Sequence, residues 1–354
     1  MNRVGLSRRD ILKSSAALAL VSFAAPARAA APPAETITPK LIAAAKKEGE
    51  VVWYTALDLQ LATKIGKTFE AKFPGIKARV ERIGGERIFQ RVTQEYSVGI
   101  HAVDAVNDGD AAQFIQWKHE GMFAPYVTKD MVEHFPAAQV DPDGCYATLR
   151  SSLCVIAYNT QLVKAADAPK SFADLLDPKW KSKIVKANPS YSGTIITSTY
   201  ALVHTLGWSY LEKLAKQKVL QVPSATATPR KVIVGERPIM ADGNEYNVLL
   251  FKFAGKPIEP VYATEGSALI TMPSAIFKAA PHPNAARLFQ NFLFTREVQQ
   301  MFVDLGGLRS LHNQTKDRAG VVPLSKIKVI PNDPAALVPE MADIKERYSK
   351  YFGI

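Results

Sequence analysis

"PKLIAAAKKEGEVVWYTA", residues 39–56, sets the architecture. Thr38 followed by Pro39 is a helix start, because a hydroxyl can take a first-turn amide and proline's missing N–H costs nothing there. Residues 39–48 run as a helix to Gly49, a stop, and the β-branched and aromatic run 50–56 reads as a buried strand.

Outward from this unit, Leu61, Ile65, Phe69 and Phe73 recur every fourth residue. That spacing draws one helical stripe over 59–73, closed by Pro74-Gly75. A strand over 76–83, a helix over 85–98 with Ile88, Phe89 and Val92 inward, a strand over 102–108 and a helix over 110–120 are predicted next. The alternation resumes with a strand at 152–160, a short helix at 171–178 capped by Ser171, a strand at 183–188 and a helix at 193–206. A strand and turn at 237–244, a helix then a strand within 248–263, two helices in 283–307 and a last helix at 334–352 complete the chain. Such alternation predicts α/β layers with a largely parallel sheet, whose ligands gather at the carboxyl ends of the strands. No fixed-period repeat or low-complexity tract is visible, which argues against a solenoid or a long disordered tail.

Arg3, Arg8, Arg9 and Lys13 precede an apolar stretch, Ala16 to Ala25, and then "ARA" at 27–29, the layout of an export signal. About ten apolar residues are too few to span a bilayer core of ~30 Å. "SRRDILK" (7–13) resembles the twin-arginine export motif, with Ile11 where phenylalanine is more frequent. Residues 1–29 are therefore expected to be a signal peptide, leading to the periplasm by the twin-arginine route. The remainder is long enough that two lobes are the expectation.

The formal charge of +11 falls to about +7 without the leader's five basic residues and one acid. The basic residues are scattered and no nucleic-acid motif accompanies them, so a solvated basic surface is expected and no nucleic-acid partner. Cys145 and Cys154 are the only cysteines. In an oxidising compartment they either bridge adjacent strands, given Cα atoms within about 7 Å, or Cys154 is a small buried apolar residue.

Four segments carry a resemblance: "LIAAAKKEGEVVWYT" (41–55), "VIAYNT" (155–160), "SFADLLDPKWKSKI" (171–184) and "PHPNAARLFQNFLFTREVQQ" (281–300). In order, they resemble the extracellular solute-binding proteins (family 1) of ABC importers, in the ferric-ion-binding-like branch. The resemblance implies a bilobal periplasmic-binding-protein fold, two Rossmann-like lobes joined by hinge strands, with the ligand between them. Residues 30–152 plus 264–300 would form lobe 1 and residues 153–263 plus 301–354 lobe 2. The implied partners are a small-molecule ligand and the ABC permease of the inner membrane; the chain is expected to be a monomer, with no cofactor.

Three segments are candidate ligand contacts. "NPSYSGTIITSTYALVHTLG" (188–207) starts a helix on Ser190, Tyr191, Ser192, Gly193 and Thr194, more small or hydroxyl-bearing residues than a cap requires. A helix's first turn leaves about four N–H groups unpaired and carries roughly half a positive charge, so it attracts anions. The plainer reading is that Ser192 only caps the helix.

"MADGNEYN" (240–247) offers Asp242, Glu245 and Tyr246, where the iron-binding relatives carry two adjacent tyrosines. "NDGD" (107–110) offers Asp108 with Gly109 where those relatives carry a glutamate, and Asp110 as a helix cap. "TALDLQ" (55–60) supplies Asp58 but no histidine where one is placed in them. Were iron bound, Asp108, Glu245 and Tyr246 would be its ligands; otherwise no metal is expected, and these groups hold an amine or hydroxyl of an organic solute, or form solvated turns. Ser151 and Ser152, with Arg150, precede a strand near a hinge and are further candidates, as is Glu265, which either faces the cleft or caps a turn. Tyr54 and Tyr191 either pack on the ligand or are ordinary buried tyrosines.

The six histidines are dispersed with no HxxxH pair, and GxSxG, HExxH and CxxC are all missing. The chain is accordingly expected not to be an enzyme. Its expected role is to capture a small anionic or zwitterionic organic solute and deliver it to the permease, with ferric-ion transport as the alternative and an exported enzyme or sensor-linked receptor as further ones.

Overall fold

The computed structural model describes residues 30–330 and 332–354; the expected signal peptide lies outside the described residues. Thr38 Oγ1 accepts the Leu41 N–H at 3.1 Å and opens α1 (Pro39–Glu48), and Gly49 stops it at φ +80°. The next elements are β1 (Glu50–Thr55), α2 (Leu59–Lys72), β2 (Lys77–Arg82), α3 (Gly85–Ser97), β3 (Ala105–Asn107), α4 (Ala111–His119), β4 (Phe123–Ala124) and α5 (Lys129–His134). β5 (Ala147–Leu153) and β6 (Ile156–Asn159) lead into β7 (Ile184–Ala187), α6 (Gly193–Leu206), α7 (Trp208–Ala215), β8 (Leu220–Val222), α8 (Thr228–Ile233), β9 (Ile239–Met240), α9 (Glu245–Phe253) and β10 (Ile258–Val261). The chain ends with β11 (Ser267–Phe277), α10 (Pro283–Phe294), α11 (Arg296–Gly306), β12 (Val329–Ile330) and α12 (Pro334–Phe352).

Two sheets result. One runs β12-β11-β3-β1-β2 with β4 and β5 also paired to β11; the other runs β10-β6-β9-β7-β8. Both are mixed rather than largely parallel: β1 is parallel to β2 and β3, whereas β11 is antiparallel to β3, β4 and β5. The reason is that β11 reaches the first sheet from the second lobe and so runs against the βα units already there.

The run expected as one strand over 152–160 is broken at Cys154-Val155. Its first half extends back to residue 147 as β5 and pairs with β11 in the first sheet, and its second half enters the other sheet. The expected helix at 171–178 is a 3-10 turn over Ala173–Leu176, with Ser171 Oγ accepting the Asp174 N–H at 3.0 Å.

Each sheet has its own core. Trp53, Phe69, Phe289 and Phe292 meet edge to face, with centroids 5.0–5.4 Å apart, a favourable aromatic arrangement. The expected boundary after residue 300 falls inside α11, whose Val298 and Phe302 both join this core. The second core centres on Ile156, Phe172, Trp180, Leu211 and Ile239. α12 bridges them: Leu337 and Ile344 cluster with Ala112 of α4 and with Ile196 and Tyr200 of α6. Both cysteines are free, and they belong to different clusters, Cys145 beside the first lobe's and Cys154 within the second's. A bridge between them is not formed.

Candidate functional site

The carboxyl ends of β1, β2 and β3 deliver Ala56, Arg82, Gly84, Gly85 and Asp108 to one side of a cavity of about 30 Å³. The second lobe supplies Tyr191, Ser192, Gly193, Thr194, Ser224, Thr226 and Asn244. Three helices start at this cavity, α3 after Gly84, α6 after Ser192 and α9 after Asn244, and none is capped by its own N-cap side chain, although Ser152 Oγ takes the Tyr246 N–H of α9. α1, α2, α4, α5, α11 and α12 are capped by Thr38, Asp58, Asp110, Thr128, Thr295 and Asp333, while α7, α8 and α10 also lack a side-chain cap, so what sets α3, α6 and α9 apart is that they converge on one cavity. First turns without an N-cap side chain leave N–H donors and partial positive charge at the cavity in α3 and α6, while α9, whose Tyr246 N–H is taken by Ser152, contributes mainly its partial charge.

The lobes approach closely here. A Cβ on Gly193 would lie 2.5 Å from Asp110 Cβ and 3.0 Å from its backbone nitrogen, and one on Gly109 would lie 2.7 Å from Thr194 Oγ1. Only glycine permits this contact between the starts of α4 and α6. Arg82 crosses the gap, donating to Thr226 Oγ1 at 3.2 Å while its Nε reaches the Leu57 carbonyl at 3.3 Å.

Two carboxylates are shut in beside the helix mouths. Asp108 is 1 % exposed; its Oδ1 accepts the Gly109 N–H at 2.5 Å and its Oδ2 has no partner among the described residues. Burial raises its pKa to about 6, against the pull of the Gly109 N–H and Arg150. Asp110 caps α4 by accepting the Ala112 N–H at 3.0 Å, and its Oδ2 is likewise unpartnered. Burial, and after it the neighbouring Asp108 charge, raise Asp110 to about 8.

Of the expected contacts, Asp108, Tyr191, Ser192, Gly193 and Thr194 are brought together around the cavity. Gly109 abuts Thr194, and Ser190, partly exposed, donates its N–H to Asn188 Oδ1 at 2.8 Å. The rest are engaged elsewhere. Glu245 is fully buried, gripped by Arg309 through Nε at 2.8 Å and Nη2 at 2.7 Å, and accepts the Tyr262 hydroxyl at 2.5 Å. The Tyr246 ring is buried in the first lobe's core, 5.8 Å from the Arg150 guanidinium. The iron ligand set Asp108, Glu245 and Tyr246 therefore does not converge.

Asp242 forms a buried pair with Lys186 at 2.6 Å and accepts from Ser198 at 3.2 Å. Glu265 caps the 173–176 turn through the Phe172 and Ala173 N–H groups. Asp58 caps α2 and lines a neighbouring groove. Ser151 Oγ donates to the Arg309 carbonyl at 3.0 Å, Ser152 Oγ accepts the Tyr246 N–H at 3.3 Å, and Arg150 is buried with its Nε on Asn107 Oδ1 at 2.9 Å. These last three lie within β5 rather than before a strand. Tyr54 is buried behind the site under Arg91.

Sequence reasoning missed Arg82, Gly84-Gly85, Ser224, Thr226 and Asn244. "GGER" (84–87) carried the same strand-to-helix signal as residues 192–194, and could have been found by it.

The sequence profile described as bacterial extracellular solute-binding protein matches residues 109–335. The chain belongs to this family. Among solved structures, the solute-binding protein is similar to the periplasmic binding protein AfuA of Actinobacillus pleuropneumoniae with fructose-6-phosphate bound. The TM-score is 0.79 at 22 % identity, over 86 % of this chain and 99 % of that one. It is also similar to iron-bound HitA of Pseudomonas aeruginosa, with a TM-score of 0.72 at 19 % identity over 85 % and 99 % of the two chains. A relative from Salmonella typhimurium, named as a putative 2-aminoethylphosphonate-binding periplasmic protein, is 26 % identical over 176 residues, 47 % of this chain and 51 % of that protein. The two-sheet α/β architecture of this solute-binding protein is thus the bilobal periplasmic-binding-protein fold.

Proposed function

We propose that this solute-binding protein works in the periplasm as the capture component of an ABC importer, taking a small anionic or zwitterionic organic solute between its lobes and presenting it to the permease. The observation that carries this reading is the convergence of three helix N-termini, α3, α6 and α9, on one cavity, those of α3 and α6 with no side-chain cap. An anionic group placed there meets several N–H donors at once and a favourable field. The unpartnered Oδ2 of Asp108 supplies the complementary contact, an acceptor for an ammonium on the same solute. A phosphate and a phosphonate in the names of two relatives agree with an anionic head.

At about 30 Å³ the cavity holds roughly one water, so the lobes must part to admit a solute. The chain crosses between sheets at 153–156 and 262–267, and these crossings are the proposed hinges. Solute touching both lobes then stabilises the closed form that a permease reads. Ferric-ion capture is the weaker reading, because Glu245 and Tyr246 are held by Arg309 and the core.

A thermal-shift screen of protein lacking residues 1–29 against amino acids, organic acids, phosphonates, polyamines and ferric salts tests the proposal. Phosphonates or carboxylates should raise the melting temperature, and Ser192→Glu, which puts a carboxylate at the mouth of α6, should abolish the shift in a protein that still folds. A shift with ferric salts alone, accompanied by a visible charge-transfer band, would replace this reading with the iron one.

A further inference from the structure

We infer that the solute is larger than its charged head, with an apolar body that lies in a groove beside the cavity; the inference rests on the anion-capture reading above. The groove has a volume of about 410 Å³, within the range of small-molecule sites, whereas the cavity at the helix mouths is about 30 Å³. Thr226 lines both. The two spaces are therefore neighbours, divided where Arg82 donates to Thr226 Oγ1.

Both lobes wall the groove. Leu61 of α2 and Leu250 of α9, which pack with the first lobe's core, stand on one side, Phe251, packed with the second lobe's core, stands on the other with Thr226 and Arg230, and Leu305 of α11 closes an end while 46 % exposed. Leu61 is already buried and the Arg230 guanidinium lies 5.4 Å from the Phe251 ring, so the apolar surface left for a guest to cover is chiefly that of Leu305. Asn247 is 3 % exposed, lines the groove, and its Oδ1 has no partner among the described residues. A buried carbonyl of this kind calls for an N–H or O–H on the guest. Lys64 and Arg230 stand exposed on the rim and favour a guest of net negative charge.

The ligand class is thus a phosphonate or phosphate monoester with an aliphatic or aromatic body bearing a hydroxyl or amine. Its head sits at the starts of α3, α6 and α9 and its body lies between α2 and α9. Since the body touches both lobes, it contributes to closure as well as to affinity.

Titration calorimetry with methylphosphonate, which is head only, and hexylphosphonate, which adds the body, tests this. Hexylphosphonate should bind at least ~10-fold more tightly. Ala254→Trp, an exposed groove residue, should remove that gain by filling the groove and leave methylphosphonate binding unchanged. Equal affinities in the wild type, or a gain that survives Ala254→Trp, would overturn the groove assignment while the cavity reading stands. If neither alkylphosphonate binds the wild type while 2-aminoethylphosphonate does, the groove assignment fails and the cavity reading stands; if none of the three binds, the cavity reading fails and the groove assignment falls with it.

Discussion

Gly193→Ala isolates closure from folding. The added methyl would stand 2.5 Å from Asp110 Cβ and 3.0 Å from the Asp110 nitrogen, and neither atom can rotate away as a side-chain tip could. Gly193 begins α6 in the second lobe and Asp110 caps α4 in the first, so the clash exists only while the lobes are together. Overpacking of this kind costs ~1–3 kcal/mol, which lowers the closed population relative to the open one by a factor of about 5 to 150.

Because affinity scales with the fraction of protein able to close, the dissociation constant for whichever solute raises the melting temperature in the screen should rise by up to that factor. Folding of each lobe should not suffer, since Gly193 is not among the glycines with positive φ, where alanine would be strained. Calorimetry measures the affinity, and small-angle scattering measures the radius of gyration, which should grow as the lobes part. Gly109→Ala is the graded control: its methyl meets the Thr194 hydroxyl at 2.7 Å, and that hydroxyl can turn aside, so its effect should be smaller. An unchanged affinity together with an unchanged radius in Gly193→Ala would refute the claim that this contact belongs to the closed, ligand-holding form.

Two further outcomes follow from buried carboxylates. In the folded protein Asp108 holds its proton up to about pH 6 and Asp110 to about pH 8, whereas an unfolded aspartate releases it near 3.9. The stability these protons bring is full below the unfolded value and is lost as pH rises through about 6 and then about 8. Asp110→Asn should therefore gain on the wild type by up to about 1.4 kcal/mol per pH unit between pH 5 and 7 in urea denaturation; a constant gap would contradict the raised pKa. Glu245→Gln strands the Arg309 cation in a buried site and should cost ~3–5 kcal/mol of stability, with affinity for the solute found by the thermal-shift screen unchanged at a temperature where the variant remains folded. Lost affinity at full stability would instead make Glu245 a ligand contact.

The α/β layering was legible because each unit carries its own punctuation: Thr38-Pro39, Gly49 and Pro74-Gly75 bracket elements whose apolar spacing is regular. The crossing between lobes at 154–155 had no such mark. Residues 147–158 are all buried on both sides of the crossing and 153–157 are continuously apolar, so nothing in the sequence shows where a strand leaves one sheet for another.

At the site, Ser192-Gly193-Thr194 and Asp108-Gly109 could be read because small residues at a strand-to-helix junction have a local physical reason to be there. Asp242 and Glu245 could not be sorted from them. What occupies those carboxylates is Lys186, 56 positions away, and Arg309, 64 positions away. A partner chosen by tertiary structure leaves no local trace.

The same carboxylates bear on selectivity. Asp108 lies where the starts of three helices favour negative charge, so the empty closed form already contains a counter-charge of its own. Asp110 shares that enclosure, and its high pKa reflects in part the cost of ionising a second carboxylate near the first. A simple oxyanion entering the cavity gains the helix donors but meets the Asp108 charge without compensation. An anion that brings an ammonium with it gains the donors and also pairs the unpartnered Asp108 Oδ2. If the solute is the zwitterion proposed above, the Asp108 charge weakens binding of a bare anion while pairing the ammonium of the right guest, and the protein should prefer the zwitterion to phosphate or sulfate.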